Sequence, residues 1–261
     1  MGVDIRDQWD IAQEWSESRR GRYGECISHI KKAVSIATEI TSEISKKTIT
    51  QLDENEIPQD EDKFFDNKIN ATSYRAISFI KAGAINFENG GPISPNDALN
   101  RMISENILLV RYLLRNRGAV PDWIKFRKLK DFNKAIPKEF RKKIDTDYRM
   151  FSFTFLLKRL YEEKRFSTEV IRIYEADKAY LDAQVHPSDT GFASDRTNTQ
   201  KRNDRIVHRN CQFLPEWFDA LTPLVEKYSI NSELCALLKS EFALLKEYEK
   251  NWRDSFLQPE S

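Results

Sequence analysis

The sequence predicts an all-α fold, an array of about eight to ten helices, from the periodicity of its apolar residues. Three observations carry that prediction. Apolar residues recur three or four apart along almost every segment. No stretch sustains the in-out alternation of a strand. The segments are separated by recognisable helix starts and stops, such as Asn89-Gly90-Gly91-Pro92 followed by Ser94-Pro95-Asn96-Asp97, in which Ser94 can cap, Pro95 suits the first helical position and Asp97 favours the positive end.

The elements follow in order. Residues 4–19 predict a first helix with Ile5, Trp9, Ala12 and Trp15 inward. A longer second helix carries Ile27, Ile30, Val34, Ala37, Ile40 and Ile44 on one stripe and ends near Lys47. Residues 1–50 are thus expected to form an N-terminal helical pair, 51–62 an acidic loop containing Pro58, and 63–261 the main helical domain, continuous with that pair. Helix resumes over 64–87, with Ile69, Ile77, Ile80 and Ile85 as core. The helix from Pro95 is apolar on two faces. One carries Leu99, Met102, Ile103, Ile107, Val110 and Leu114; the other carries Arg101, Glu105, Leu108 and Tyr112. Only Ser104, Arg111 and Arg115 are left for water, which predicts a central helix with Arg101 and Glu105 buried. Val120-Pro121-Asp122 opens a short basic helix, and a further one runs into Phe151, Phe153, Phe155, Leu156 and Leu157. Ser167-Thr168-Glu169 caps a helix with Val170, Ile173, Tyr174, Asp177, Leu181 and Val185 inward, broken at Pro187. Residues 190–201 read as a polar connection, and 214–228 and 231–252 as the last two helices.

Composition narrows the class. Charged residues make up 32% and hydrophobic ones 40% of the 261 residues, a globular balance rather than a disordered one. The longest aliphatic run, Ile107-Leu108-Leu109-Val110, is far short of a membrane span, and Met1-Gly2-Val3-Asp4, without a basic region followed by an apolar run, leads to the expectation of no secretory signal. Cys26, Cys211 and Cys235 fit neither a disulfide framework nor a zinc knuckle, so reduced thiols in a cytoplasmic protein are expected. The net charge of +1 conceals strong segregation. Residues 51–66 hold seven acids and one lysine; 111–143 hold twelve basic against three acidic residues; and 196–209 hold five basic residues against Asp204. Such patches suit RNA as a partner, or are basic residues on solvated helix faces beside the acidic loop.

The ionisable residues on apolar stripes are the chemical signal, because an unpaired charge costs several kcal/mol, roughly, to bury. Arg101, Glu105, Asp177, Tyr180 and His186 form a candidate polar core. His186 would transfer protons beside a carboxylate and a phenol, or the group would be a structural network fixing helix register. Arg101-x-x-x-Glu105, followed by Tyr180 and Val185-His186-Pro187-Ser188, resembles a widespread bacterial all-helical family of unknown function, over roughly 96–194. That family is similar in outline to HEPN domains, helical modules of antiviral defence and toxin systems. The resemblance implies a metal-independent RNase with an Arg-x4–6-His motif and a polar residue after the arginine. Arg202-Asn203-Asp204-Arg205-Ile206-Val207-His208 fits that pattern. His208 would move the proton of a ribose 2′-hydroxyl or of the leaving oxygen, and Arg202 would stabilise charge on the phosphorane. Arg22-x6-His29 meets the same loose spacing, and His186 has no arginine at it. Two readings therefore stand: an endoribonuclease of a bacterial defence or toxin system, with homodimers expected, and a non-catalytic protein-interaction module whose helical groove or basic face docks another protein; without catalysis, Arg202 and His208 are expected on a basic surface loop. No Walker loop, dinucleotide glycine pattern, His-Glu-x-x-His or di-iron Glu-x-x-His is present, so no cofactor or metal is expected. Glu25 and His29, one turn apart, read as a surface pair.

Overall fold

A computed structural model describes residues 5–54, 57–91, 93–135, 151–162 and 200–257. The described residues are all-α. They form seven helices: α1 (Ile5–Lys47), α2 (Glu61–Glu88), α3 (Ile93–Arg115), α4 (Val120–Ala135), α5 (Phe153–Glu162), α6 (Gln200–Lys227) and α7 (Ser232–Leu257). A 3-10 turn, Arg117–Ala119, joins α3 to α4. Helix α6 is the hub, packing against α1, α2, α3 and α7, while α1 lies along α2, α6 and α7. Among the described residues no helix is long and apolar enough to cross a membrane.

The expected N-terminal pair is one continuous helix. Gly21 and Gly24 do not break α1, although each costs about 1 kcal/mol relative to alanine within a helix. Neither glycine is needed for close packing, since a Cβ at either would meet nothing within 4 Å. Burial of Tyr23, Cys26, Ile27 and Ile30 on both sides of Gly24 outweighs that local cost. The predicted stripe from Ile27 to Ile44 is buried throughout.

Between α1 and α2 the acidic loop folds back on itself. Leu52 and Pro58 form an isolated bridge, and Asp53 Oδ1 accepts the Ile57 amide at 2.7 Å. Asp60 caps α2, accepting the Lys63 amide at 2.9 Å, which starts that helix at Glu61 rather than at Phe64. Much of the local negative charge is then matched. Asp66, buried at 0% exposure, accepts from Lys227 Nζ at 2.7 Å, from the Tyr228 hydroxyl at 2.6 Å and from Arg117 Nη1. Asp62 also pairs with Arg117.

The turn from α2 to α3 is seated on α1. Gly90 takes φ +71°, and a Cβ there would lie 1.9 Å from the Ala12 carbonyl oxygen, so only glycine fits. Ser16 donates to the Glu88 carbonyl at 2.7 Å, and the buried Arg19 donates to the carbonyls of Phe87 and Gly91 at 3.1 and 2.8 Å. Burial lowers the Arg19 pKa to about 10.

Several inward and outward positions differ from expectation. Ile85, Met102 and Leu237 are exposed, whereas Asn96, Asn100 and Ser104 are buried. The inner face of α3 is therefore turned toward its small polar residues. Asn96 and Leu99 face Gly83 of α2, where even a Cβ would come no closer than 3.5 Å. Helix α6 begins well before Leu214 and runs through Pro215 and Pro223. Trp217, fully buried within it, donates its indole N–H to the Ser73 carbonyl at 3.2 Å.

Candidate functional site

The sequence-predicted residues separate. Arg101 Nε and Glu105 Oε1 do pair, at 3.1 Å, but their side chains are 25% and 38% exposed. Turning α3 toward Asn96, Asn100 and Ser104 moves this pair to the helix flank. The expected burial is thus corrected: this is a partly solvated one-turn bridge worth about 0.3–0.5 kcal/mol. Asp177, Tyr180 and His186 lie outside the described residues. Arg202 belongs to the first turn of α6, and its side chain is likewise outside the described set.

His208 stands on α6, not on a basic loop, and only 9% of it is exposed. Its Nδ1 lies 3.3 Å from the Glu249 carbonyl oxygen of α7, and Gln212 Nε2 donates to the Glu249 carboxylate at 2.9 Å. Asp204, in the same motif, is 0% exposed. Its Oδ1 accepts from the Tyr23 hydroxyl at 2.6 Å and from Arg22 Nε at 3.4 Å. Burial, with the Asp204 hydrogen bond adding to it, raises the Tyr23 pKa.

These contacts belong to a polar seam where α1 meets α6 and α7. Tyr23, Cys26 and Ile27 are successive inner positions of α1, and His29 follows at the edge, partly exposed. Cys26 Sγ and Cys211 Sγ are 3.4 Å apart, both buried. Further along, the buried Glu241 carboxylate of α7 lies 2.7 Å from His29 Nδ1 and 2.5 Å from Lys32 Nζ. Burial alone would raise the Glu241 pKa, but hydrogen bonds from Lys32 and His29 outweigh it and the net shift is downward. Burial and a hydrogen bond with Glu25 raise the Tyr248 phenol to about 12. Glu25 and His29 are therefore not an isolated surface pair: each engages α7.

Sequence reasoning missed Tyr23, Cys26, Cys211 and Glu241 as members of one site. A signal was present in Tyr23-x-x-Cys26, which continues the Ile27–Ile44 stripe backward with polarisable and hydroxyl groups. The partners, roughly 180 to 210 residues away, had no local mark. Among the described residues no three His, Cys, Asp or Glu side chains gather as a metal-binding group. Comparison with protein-family models, curated proteins and solved structures found no match.

Proposed function

We propose that this chain is a non-catalytic helical interaction module, in which the Arg202–His208 segment joins helices. The observation that carries the reading is that Asp204 is wholly buried and His208 nearly so, each hydrogen-bonded into a neighbouring helix. An imidazole in that setting fixes helix register, as buried polar networks do. The docking surface is the basic side of α4, where Lys125, Lys128 and Lys130 are exposed, and it suits an acidic protein partner.

One observation favours a second reading, the metal-independent endoribonuclease of a bacterial defence or toxin system. If Nδ1–H of His208 donates to the Glu249 carbonyl, Nε2 keeps its lone pair, which is the tautomer a general base needs. Arg202 precedes it on the same helix, with Lys201 and Arg205 close in sequence to hold a phosphate backbone, while Arg209 is engaged by Gln212 and Glu216.

Cleavage of a structured RNA in EDTA separates the two. The module reading expects no cleavage above that of a His208→Ala control, and a lower melting temperature in that variant. Cleavage that survives EDTA and His29→Ala but disappears in folded His208→Ala overturns it in favour of the ribonuclease.

A further inference from the structure

We propose that Cys26 and Cys211 are an oxidation site, forming a reversible internal disulfide that staples α1 to α6. Their sulfurs are 3.4 Å apart on two helices in direct contact. Closing that gap to the bonded distance of about 2.05 Å asks for little more than an ångström of side-chain movement. The flanking contacts hold α1 against α6 and α7 while this happens. One turn before Cys26, Tyr23 is tied to Asp204; one turn after it, His29 is tied to Glu241. The thiols thus face each other in the folded state.

The environment also selects the oxidant. Both thiols are buried, and the hydrogen bond to Cys26, then burial, push the Cys211 thiol well above its ordinary range. Both effects slow the reaction, since the thiolate is the reactive form, so the proposed oxidant is a small one, hydrogen peroxide, admitted by local opening of the seam. Peroxide oxidises one thiol to a sulfenic acid, releasing one water. The second thiol then displaces the hydroxyl group as another water and forms the S–S bond. Each sulfur gives up one electron to the peroxide, and a dithiol reductant reverses the exchange. Cys235 on α7 is only partly buried, and neither sulfur of the pair is its hydrogen-bond partner. The inference is independent of both readings of function, since it requires only that the helices pack as described.

The test is intact-mass analysis and peptide mapping of the folded, reduced chain after mild hydrogen peroxide treatment, with circular dichroism verifying that helicity is retained. The expected product is a monomer lacking two hydrogens, with Cys26 and Cys211 in one cross-linked peptide and a higher melting temperature that dithiothreitol returns to its starting value. Cys235→Ser should leave that product unchanged, and Cys211→Ser should abolish it. Two free thiols at Cys26 and Cys211 after Cys235 has been oxidised would overturn the proposal. So would sulfinic acid at either position without a cross-link, or a cross-link that uses Cys235. The mapping is done on the unsubstituted chain, so a variant that fails to fold does not decide the outcome.

Discussion

Replacing Asp204 with alanine tests whether the α1–α6 joint holds the fold. The carboxylate is 0% exposed and accepts from the Tyr23 hydroxyl at 2.6 Å and from Arg22 at 3.4 Å. Removing one partner of a buried charged pair costs about 3–5 kcal/mol, mostly through the group left behind. Here the group left behind is chiefly the Tyr23 hydroxyl, whose lost partner costs about 1–3 kcal/mol. The Arg22 side chain is 39% exposed and can turn to water, so its share is small. The expected loss is therefore at the lower end, about 3 kcal/mol. For a chain of this size that is about 6–12 °C in melting temperature. Far-UV circular dichroism melts would measure it, with Tyr23→Phe completing a double-mutant cycle. Tyr23→Phe should cost about 1–2 kcal/mol alone and almost nothing once Asp204 is gone. A melt of Asp204→Ala within about 2 °C of the parent, or additive losses in the double variant, would refute the joint as described.

Other positions give independent outcomes. Gly90→Ala must place a methyl against the Ala12 carbonyl in a left-handed turn, and is expected to lower stability by about 2–4 kcal/mol in chemical denaturation. A neutral result would show that the turn can lift from α1. At Asp66, burial acts to raise the carboxyl pKa, but bonds from Lys227, Tyr228 and Arg117 prevail and hold it below the ordinary value of 3.8. A carboxyl lowered by folding adds stability above its unfolded pKa, and that stability disappears as pH falls through the folded value. The melting-temperature gap between the parent and Asp66→Asn should accordingly be full near neutrality and shrink as pH falls below 3.8. A gap unchanged with pH would rule out the ionised carboxylate as its source.

The all-α class and most element positions were legible because each amphipathic helix records its own burial at a local period. Ile27 through Ile44 and Ile69, Ile77 and Ile80 are examples. What stayed hidden depended on partners remote in the chain. Gly21 and Gly24 resemble a break until the packing of Tyr23 and Ile27 on α6 and α7 is known. Ser104 reads as solvent-facing until α3 is seen to turn Asn96, Asn100 and Ser104 inward together. The polar residues behaved in the same way. His208 was found by motif, but its burial follows from α7, and that of Asp204, which lay unremarked in the same segment, follows from α1. Arg101 and Glu105 were drawn inward by counting apolar neighbours on a helix whose inner face is partly amide and hydroxyl.

The pairing of α1 with α6 and α7 has a consequence for synthesis on the ribosome. At about 5–20 residues per second, the roughly 180 residues between Tyr23 and Asp204 take on the order of ten to forty seconds to emerge. Through that interval the greasy side of the first helix has α2 to lean on but not its later neighbours. A nascent chain halted before α6 should therefore recruit holdase chaperones, and one halted after α7 has cleared the exit tunnel should release them.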